Sequence, residues 1–537
     1  MTTTMIEPAD SPPVCVLRDL LEQRAAQVPE RPFALFEDGR QWSYAQTLAE
    51  VRGCAAGLQR LGVVPGERVL VWLGNGAEAL RVMLAIHYLG AVAVPVNSAY
   101  RGALLEHVLR NTGARLMLAD DRLLERLAGL EYADLRQVLV FGAARPALPG
   151  LQLLDETLLR MGTVPAVPAQ PIQPWDTAVV VYTSGTTGPS KGVLCSWLHL
   201  WSTATAFRHL DASDRSLVSL PLFHIGGILG YYCALLTGGS LLLAESFSVS
   251  RFWPLVREFE VTSTGLLGVM LPFLLKQPAG AGDRLHRLRS VLVAPLDEAA
   301  PAFAERFGVE VYTEYNMTEL CMPLFSEANP TRPGTCGRVR EGVELRIVDE
   351  HDFEVPIGQV GELILRSDQP WRFSHGYLNN PGATAEVWRN GWFHTGDAFR
   401  RDADGNYYFV DRLKDALRRR GENISSFEVE SAILAHPVVR EVAVVGVPGE
   451  VSEDEVLAVL ALAPGQELVP EQLIDFLRPR LADFMVPRYL RFLPELPRTP
   501  THKVLKHALR AQGVSSDTWD REQAGVLVKR ERLGRRS

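Results

Sequence analysis

Ala178-Val-Val-Val-Tyr182-Thr-Ser-Gly-Thr-Thr-Gly-Pro-Ser-Lys-Gly-Val193 runs from an apolar, β-branched stretch straight into a loop of glycines and hydroxyls that ends on a lysine. The first five residues predict a buried strand. Gly185 and Gly188 allow the backbone to turn its N–H groups toward an anion. Thr183, Ser184, Thr186 and Thr187 add hydroxyl donors, and Lys191 adds a point charge suited to phosphate. The loop is not a Walker motif, because Gly188 is followed by Pro-Ser-Lys rather than by Lys and a hydroxyl residue. Residues 193–207 read as the following helix, so the loop is expected at a strand-to-helix junction. A bare turn has no use for so many anion-seeking groups. Taken alone, the loop licenses nucleotide binding and nothing finer.

On the N-terminal side, a strand at 33–36 meets Glu37-Asp-Gly-Arg, a tight-turn signal, and Ser43 can cap a helix over 44–61. Strands at 69–72 and 91–94 flank an apolar helix at 77–89. Beyond the loop, strands are expected at 178–182, 216–220, 240–243, 261–266, 290–293 and 309–312. Strands alternating with helices predict an α/β fold of layered, mostly parallel sheets. Pro165, Pro168, Pro171 and Pro174 mark a linker at 161–174 between two parts of one large domain. After Arg332 the texture changes. Strands of alternating polarity at 343–348, 361–365 and 407–410 predict a small β-barrel part over about 332–411. A polar, basic stretch at 412–420 precedes a small α+β unit with a helix at 427–434, strands at 441–447 and 456–462, and a helix at 471–481. The expected division is a large domain, 1–411, and a small rotating C-terminal domain, 412–537.

Composition excludes several function classes. The chain has 537 residues, 47% apolar and 22% charged, with a formal charge of −8, so it carries no basic footprint for nucleic acid. The six cysteines, Cys15, Cys54, Cys195, Cys233, Cys321 and Cys336, form no metal-like spacing and read as buried free thiols of a reducing compartment. Met1–Pro13 lacks the apolar centre of a signal peptide, and no stretch reads as a membrane span, so a cytoplasmic location is expected.

The loop at 183–192 resembles the phosphate loop of the adenylate-forming superfamily of acyl-CoA synthetases, adenylation domains and luciferases, and further motifs of that family follow in order. Tyr315-Asn-Met-Thr-Glu319 resembles its Tyr-Gly-x-Thr-Glu motif, with Asn316 in place of Gly. The resemblance implies that Tyr315 lines the adenine, Thr318 meets the α-phosphate and Glu319 holds Mg²⁺, a role that suits a carboxylate and a hard cation. Trp392-Phe-His-Thr-Gly-Asp397 resembles the Thr-Gly-Asp motif, which makes Asp397 the ribose ligand, with Arg412 reaching ribose or phosphate. Lys414 stands at the family's hinge, and Gly421-Glu422-Asn423 resembles the segment that forms the pantetheine tunnel. The neighbouring Arg418 to Arg420 read either as contacts for coenzyme A phosphates or as a solvated face. Pro497-Arg-Thr-Pro-Thr-His-Lys503 resembles the C-terminal Gly-Lys motif, with His502 in place of Gly; Lys503 would bridge carboxylate and ATP, and Lys506 is its rival. Pro221-Leu-Phe-His-Ile-Gly-Gly227 resembles the family's motif that closes the acyl pocket, which implies that His224 is its gate; the resemblance further implies that Gly265, Gly268, Asn316 and Met317 wall the pocket, and that Ala294, Pro295 and Asn316 adjoin the nucleotide.

The implied chemistry has two halves. A carboxylate attacks the α-phosphorus of ATP and expels pyrophosphate; then the small domain rotates and a thiol takes the acyl group. The texture is nearest the bacterial carnitine/crotonobetaine-CoA ligase-like group. No carrier-attachment segment follows Lys503, so coenzyme A is the expected acceptor. The acid is expected to be bulky and apolar (fatty, aromatic, alicyclic or steroid-derived), and a homodimer is compatible with the resemblance. The alternatives are a stand-alone enzyme loading a carrier protein, a luciferase chemistry, and a catalytically silent nucleotide-binding homologue.

Overall fold

The computed structural model describes residues 12–160, 164–183, 189–268, 270–296, 299–412, 416–419, 422–449, 454–497, 504 and 506–528. Among these, two seven-stranded sheets organise the large domain. The first runs in the order Gln152–Asp155, Gln137–Phe141, Leu116–Asp120, Arg68–Trp72, Val92–Pro95, Thr177–Thr183 and Lys191–Ser196. The second runs Glu310–Tyr312, Ser290–Ala294, Ser263–Leu267, Arg215–Val218, Ser240–Leu243, Pro32–Phe36 and Gln41–Ser43. Every pairing is parallel except the last in each sheet.

Parallel strands need both faces covered, and their near-continuous valine and leucine runs show it. The helices Leu17–Gln27, Tyr44–Arg60, Ala77–Tyr88, Trp197–Ala204 and Ile225–Thr237 fill the space between the sheets as one apolar core. A second core of Phe252, Trp253, Phe303 and Phe307 covers the far face of the second sheet. Local chemistry agrees with these elements. Ser43 caps Tyr44–Arg60 in a full capping box with Gln46, a device worth about 1 kcal/mol. Gly39 takes φ +82° in the turn between Pro32–Phe36 and Gln41–Ser43.

Two expectations are corrected. Residues 193–207 do not form one helix. Lys191–Ser196 is a strand antiparallel to Thr177–Thr183, and the helix begins only at Trp197, capped by Ser196. Val193 and Cys195 alternate into the core, and Gly192 lets the hairpin lie against Tyr182 and Leu378, where a Cβ would come within 2.8 Å of Val180. Strand pairing therefore outweighs helix periodicity here. The proline-rich stretch, described from 164 onward, also fails to separate the two sheets. Thr177–Thr183 and Lys191–Ser196 return to the first sheet, while Pro32–Phe36 already belongs to the second.

Val343–Val348, Gly361–Ser367, Trp392–Arg401, Trp388–Arg389 and Tyr407–Arg412 make the expected antiparallel sheet. The hairpin Ala416–Arg419/Glu422–Ser425 follows. The small domain then packs Ser426–Leu434, Pro470–Leu477 and Lys506–Gln512 with the sheet Val439–Pro448, Asp454–Leu462, Tyr489–Phe492 and Trp519–Asp520. Leu417 and Ile424 of the hairpin share an apolar cluster with Val180 and Tyr182 of the large domain and with Val444 and Leu460 of the small one.

Candidate active site

A cavity of about 550 Å³ runs along the second sheet from the amino ends of its strands to beyond their carboxyl ends, lined by the helix Ile225–Thr237 and the segment Thr395–Asp397. Segments that follow strand ends in an open parallel sheet are where ligands bind. Thr183, Lys191, Gly265, Ala294, Asn316, Met317, Thr318, Glu319 and Asp397 all line this cavity, so residues spread over more than 200 positions meet in one place.

The polar end is tightly held. Glu319 is 6% exposed and accepts a 2.8 Å hydrogen bond from the Tyr377 hydroxyl. Burial and the Glu319 carboxylate push the Tyr377 phenol above its usual range, so it stays a donor. The Lys191 ammonium lies 5.0 Å from the Tyr377 ring centre. Asp397, 4% exposed, accepts a 2.6 Å bond from the Tyr315 hydroxyl. Its backbone N–H donates to Thr395 Oγ1 at 3.0 Å, and Gly396 takes φ +71° to make that corner. Asn316, expected at the acyl pocket and the nucleotide, also accepts a 2.8 Å bond from the backbone N–H of Met322, a residue at φ +56°. Its side chain therefore braces the loop that carries Thr318 and Glu319.

The small domain comes up to the cavity wall from outside. Glu422 lies 2.9 Å from His224 Nε2; His224 follows the strand Arg215–Val218 and immediately precedes Ile225, which lines the cavity, but does not line it itself. Nearby, the backbone N–H of Ser190 donates to the Glu428 carboxylate, and burial pushes that carboxyl up to about 8. Tyr100 faces both Glu428 and Glu422.

Arg419 departs from both roles considered for it. It is 1% exposed, donates to the carbonyls of Phe484 and Val486, and pairs with Glu455 at 2.7 Å. A guanidinium so engaged supports the hairpin rather than a phosphate. Lys506 is occupied within the small domain by Glu430 at 2.6 Å and Ser426 at 2.8 Å. Gly268 sits just past the wall, its N–H 3.3 Å from the Ala294 carbonyl. Ser184, Gly185, Thr186, Thr187, Gly188, Lys414, Gly421 and Lys503 lie outside the described residues, as do the side chains of Arg412, Arg418 and Asn423. Arg412 is placed by its backbone, opposite Asp397 in the antiparallel pair.

Sequence reading missed Tyr377, the link between His224 and Glu422, and the far end of the cavity, where Ser216, Ser263, Ser290 and His209 line the wall. The serines did carry a signal, since each opens a strand or lies next to its start. The strand order that aligns them was not readable.

The sequence profile of the AMP-binding enzyme family matches residues 21–378, and that of its C-terminal domain matches 428–503. A crotonobetaine/carnitine–CoA ligase of Escherichia coli is 31% identical over 490 residues, covering 87% of this chain and 93% of its own. A double mutant of the o-succinylbenzoate CoA synthetase of Bacillus subtilis, bound to its product analogue OSB-NCoA, superposes with a TM-score of 0.80 at 26% identity, covering 92% of this chain and 98% of its own. The same enzyme in complex with AMP superposes at 0.64, with 26% identity and coverage of 91% and 98%. No helix of the described residues is long and apolar enough to cross a membrane. In sequence, domain order and fold, the chain belongs to the AMP-binding enzyme family and to its adenylate-forming acyl-CoA ligases.

Proposed function

We propose that the described arrangement is the one used for the second half-reaction, transfer of an acyl group from its adenylate to coenzyme A. The observation that carries this is the 2.9 Å contact between His224 and Glu422, which joins the small-domain hairpin to the large-domain residue next to Ile225 of the cavity wall. The better superposition on the product-analogue complex than on the AMP complex of the same enzyme supports it.

In the first half-reaction the carboxylate of the acid attacks the α-phosphorus of ATP and pyrophosphate leaves. Asp397 accepts from the ribose hydroxyls, Tyr315 borders the adenine with Ala294 and Pro295, and Thr318 meets the α-phosphate. Thr183, Ser184, Gly185, Thr186, Thr187, Gly188 and Lys191 hold the outgoing phosphates, Arg412 reaches ribose or phosphate, and Lys503 neutralises charge as the carboxylate attacks. Glu319 suits Mg²⁺: it is a buried carboxylate on the wall of the cavity. Magnesium is commonly held by one or two carboxylates together with phosphates and water. Bound there, the ion would neutralise phosphate charge.

Rotation about Lys414 then withdraws Lys503 and brings in Gly421, Glu422 and Asn423. His224, held by Glu422, borders the path of the thiol. The acid is bulky and largely apolar: Leu229, Ile225, Val218, Leu292 and Met317 surround the middle of the cavity. The buried, unpaired thiols suit a reducing cytoplasm.

The test separates the halves. Lys503→Ala is expected to abolish ATP–pyrophosphate exchange while thioester formation from a supplied acyl-adenylate and coenzyme A persists. Exchange that survives the substitution, or loss of both halves together, would sink these assignments.

A further inference from the structure

The cavity does not end in hydrocarbon. Ser263 pairs in register with Ser216 on one side and Ser290 on the other, at the amino ends of three adjacent parallel strands. All three line the cavity, with His209 beside them. Residues of one strand alternate between faces, so the same face carries Gly265 and Leu292 in the next row and Leu267 and Ala294 in the last. The last row adjoins the nucleotide end. Four residue steps of strand lead from Ser290 to Ala294, which is about 13 Å at the usual rise.

Gly265 keeps the passage open. A Cβ built there meets nothing within 4 Å, so it would stand in the lumen. Gly230, opposite, lets the helix Ile225–Thr237 close on Val218, where a Cβ would come within 2.5 Å. The result is an apolar waist leading to a hydroxyl-lined end.

That end has hydrogen-bonding capacity in hand. The Ser216 and Ser263 hydroxyl oxygens are 2.7 Å apart, a bond that uses one of their two hydrogens. Ser290 is 1% exposed and its hydroxyl has no protein partner. A buried hydroxyl left unmatched is unfavourable, so such a group marks a place where a partner is expected. No Lys, Arg, Asp or Glu among the described residues lines this end. Burial lowers the His209 imidazole below its usual range, and its ring stacks on Tyr312. The charges behind His209, Arg289 and Asp214, are paired with each other, so the wall itself offers no charged side chain to a terminal ammonium or carboxylate.

Building on the ligase reading above, we infer that the acid carries a neutral oxygen, a hydroxyl or a ketone, at the end remote from its carboxylate, about 13 Å away. It is an oxygenated medium-length or fused-ring acid rather than a plain fatty acid. The serine row receives the oxygen, and the apolar waist takes the hydrocarbon between.

The test is ATP–pyrophosphate exchange and thioester formation with matched acids: n-decanoate against its ω-hydroxy derivative, and cyclohexanebutyrate against its ring-hydroxylated and ring-keto forms. The oxygenated member of each pair is expected to have the higher kcat/KM, by about tenfold for one or two neutral hydrogen bonds. In Ser263→Ala/Ser290→Ala that preference is expected to fall to near parity, mainly by loss on the oxygenated member. Plain acids that match or beat their oxygenated partners, or a preference untouched by the double substitution, would overturn the inference and leave the ligase reading standing. No turnover of any acid, with ATP still bound, would overturn both.

Discussion

The Tyr377 hydroxyl donates to Glu319 at 2.8 Å inside a buried pocket, and that bond fixes which way the carboxylate faces. A hydrogen bond to a charged group contributes about 1.5–3 kcal/mol. Tyr377→Phe keeps the ring beneath Lys191 and removes only the donor. Pyrophosphate exchange in this variant is expected to fall by about tenfold or more, with a higher magnesium requirement. A titration of exchange rate against magnesium at saturating ATP measures both, and an unchanged curve would show that Glu319 needs no positioning. At this scale the sequence is a good guide to identity and a poor one to partnership. Glu319, Asp397 and Tyr315 were readable because they occur in fixed motifs. Tyr377 was not, because its partner is 58 residues away. Asn316 was readable as a departure, but its bond to Met322 depends on a loop with a positive φ, which no periodicity announces.

Elements were legible where local chemistry and burial agree, and not where pairing decides. Ser43 announced the helix Tyr44–Arg60, and the capping box bears that out. The chain after Tyr182 was expected to enter a helix; the structure instead pairs Thr177–Thr183 with an antiparallel strand, Lys191–Ser196. The strands Arg215–Val218, Ser263–Leu267 and Ser290–Ala294 were each readable, but only their register creates a floor with serines at one end and Gly265 in the middle. That floor carries its own prediction. Gly265→Leu would fill lumen that is empty of protein atoms within 4 Å of the new Cβ. Selectivity for butyrate over decanoate is expected to rise by about tenfold or more, since a blocked apolar channel forfeits most of the burial of the longer chain. Competitive thioester assays with the two acids measure the ratio. A ratio equal to wild type would place the acyl chain elsewhere.

At the scale of the whole molecule, the two domains meet over a buried carboxyl. Glu428 lies on the small-domain helix Ser426–Leu434, takes the backbone N–H of Ser190 from the large domain, and faces Tyr100. Desolvation raises its carboxyl from 4.5 to about 8, against the smaller opposing effect of the Ser190 bond. In the docked arrangement the group keeps its proton; rotated away and solvated, it titrates as an ordinary carboxyl. Between those two values the docked form binds more protons. Docking is therefore fully supported below 4.5 and weakens as pH rises through about 8, by on the order of a few kcal/mol in all. The half-reaction that needs this docking inherits the dependence, whereas adenylation does not. Glu428→Gln retains the shape and removes the titration. The docked fraction, followed by energy transfer between labels on the two domains, is expected to fall with pH in the wild-type chain and to stay level in the variant. Thioester formation from a supplied adenylate, compared between the two proteins at each pH so that the ionisation of the coenzyme A thiol cancels, is expected to favour the variant increasingly toward pH 8. Parallel profiles for wild type and variant would mean that Glu428 remains solvated or paired in both arrangements, and that domain docking is set by the apolar cluster around Leu417 and Ile424 alone.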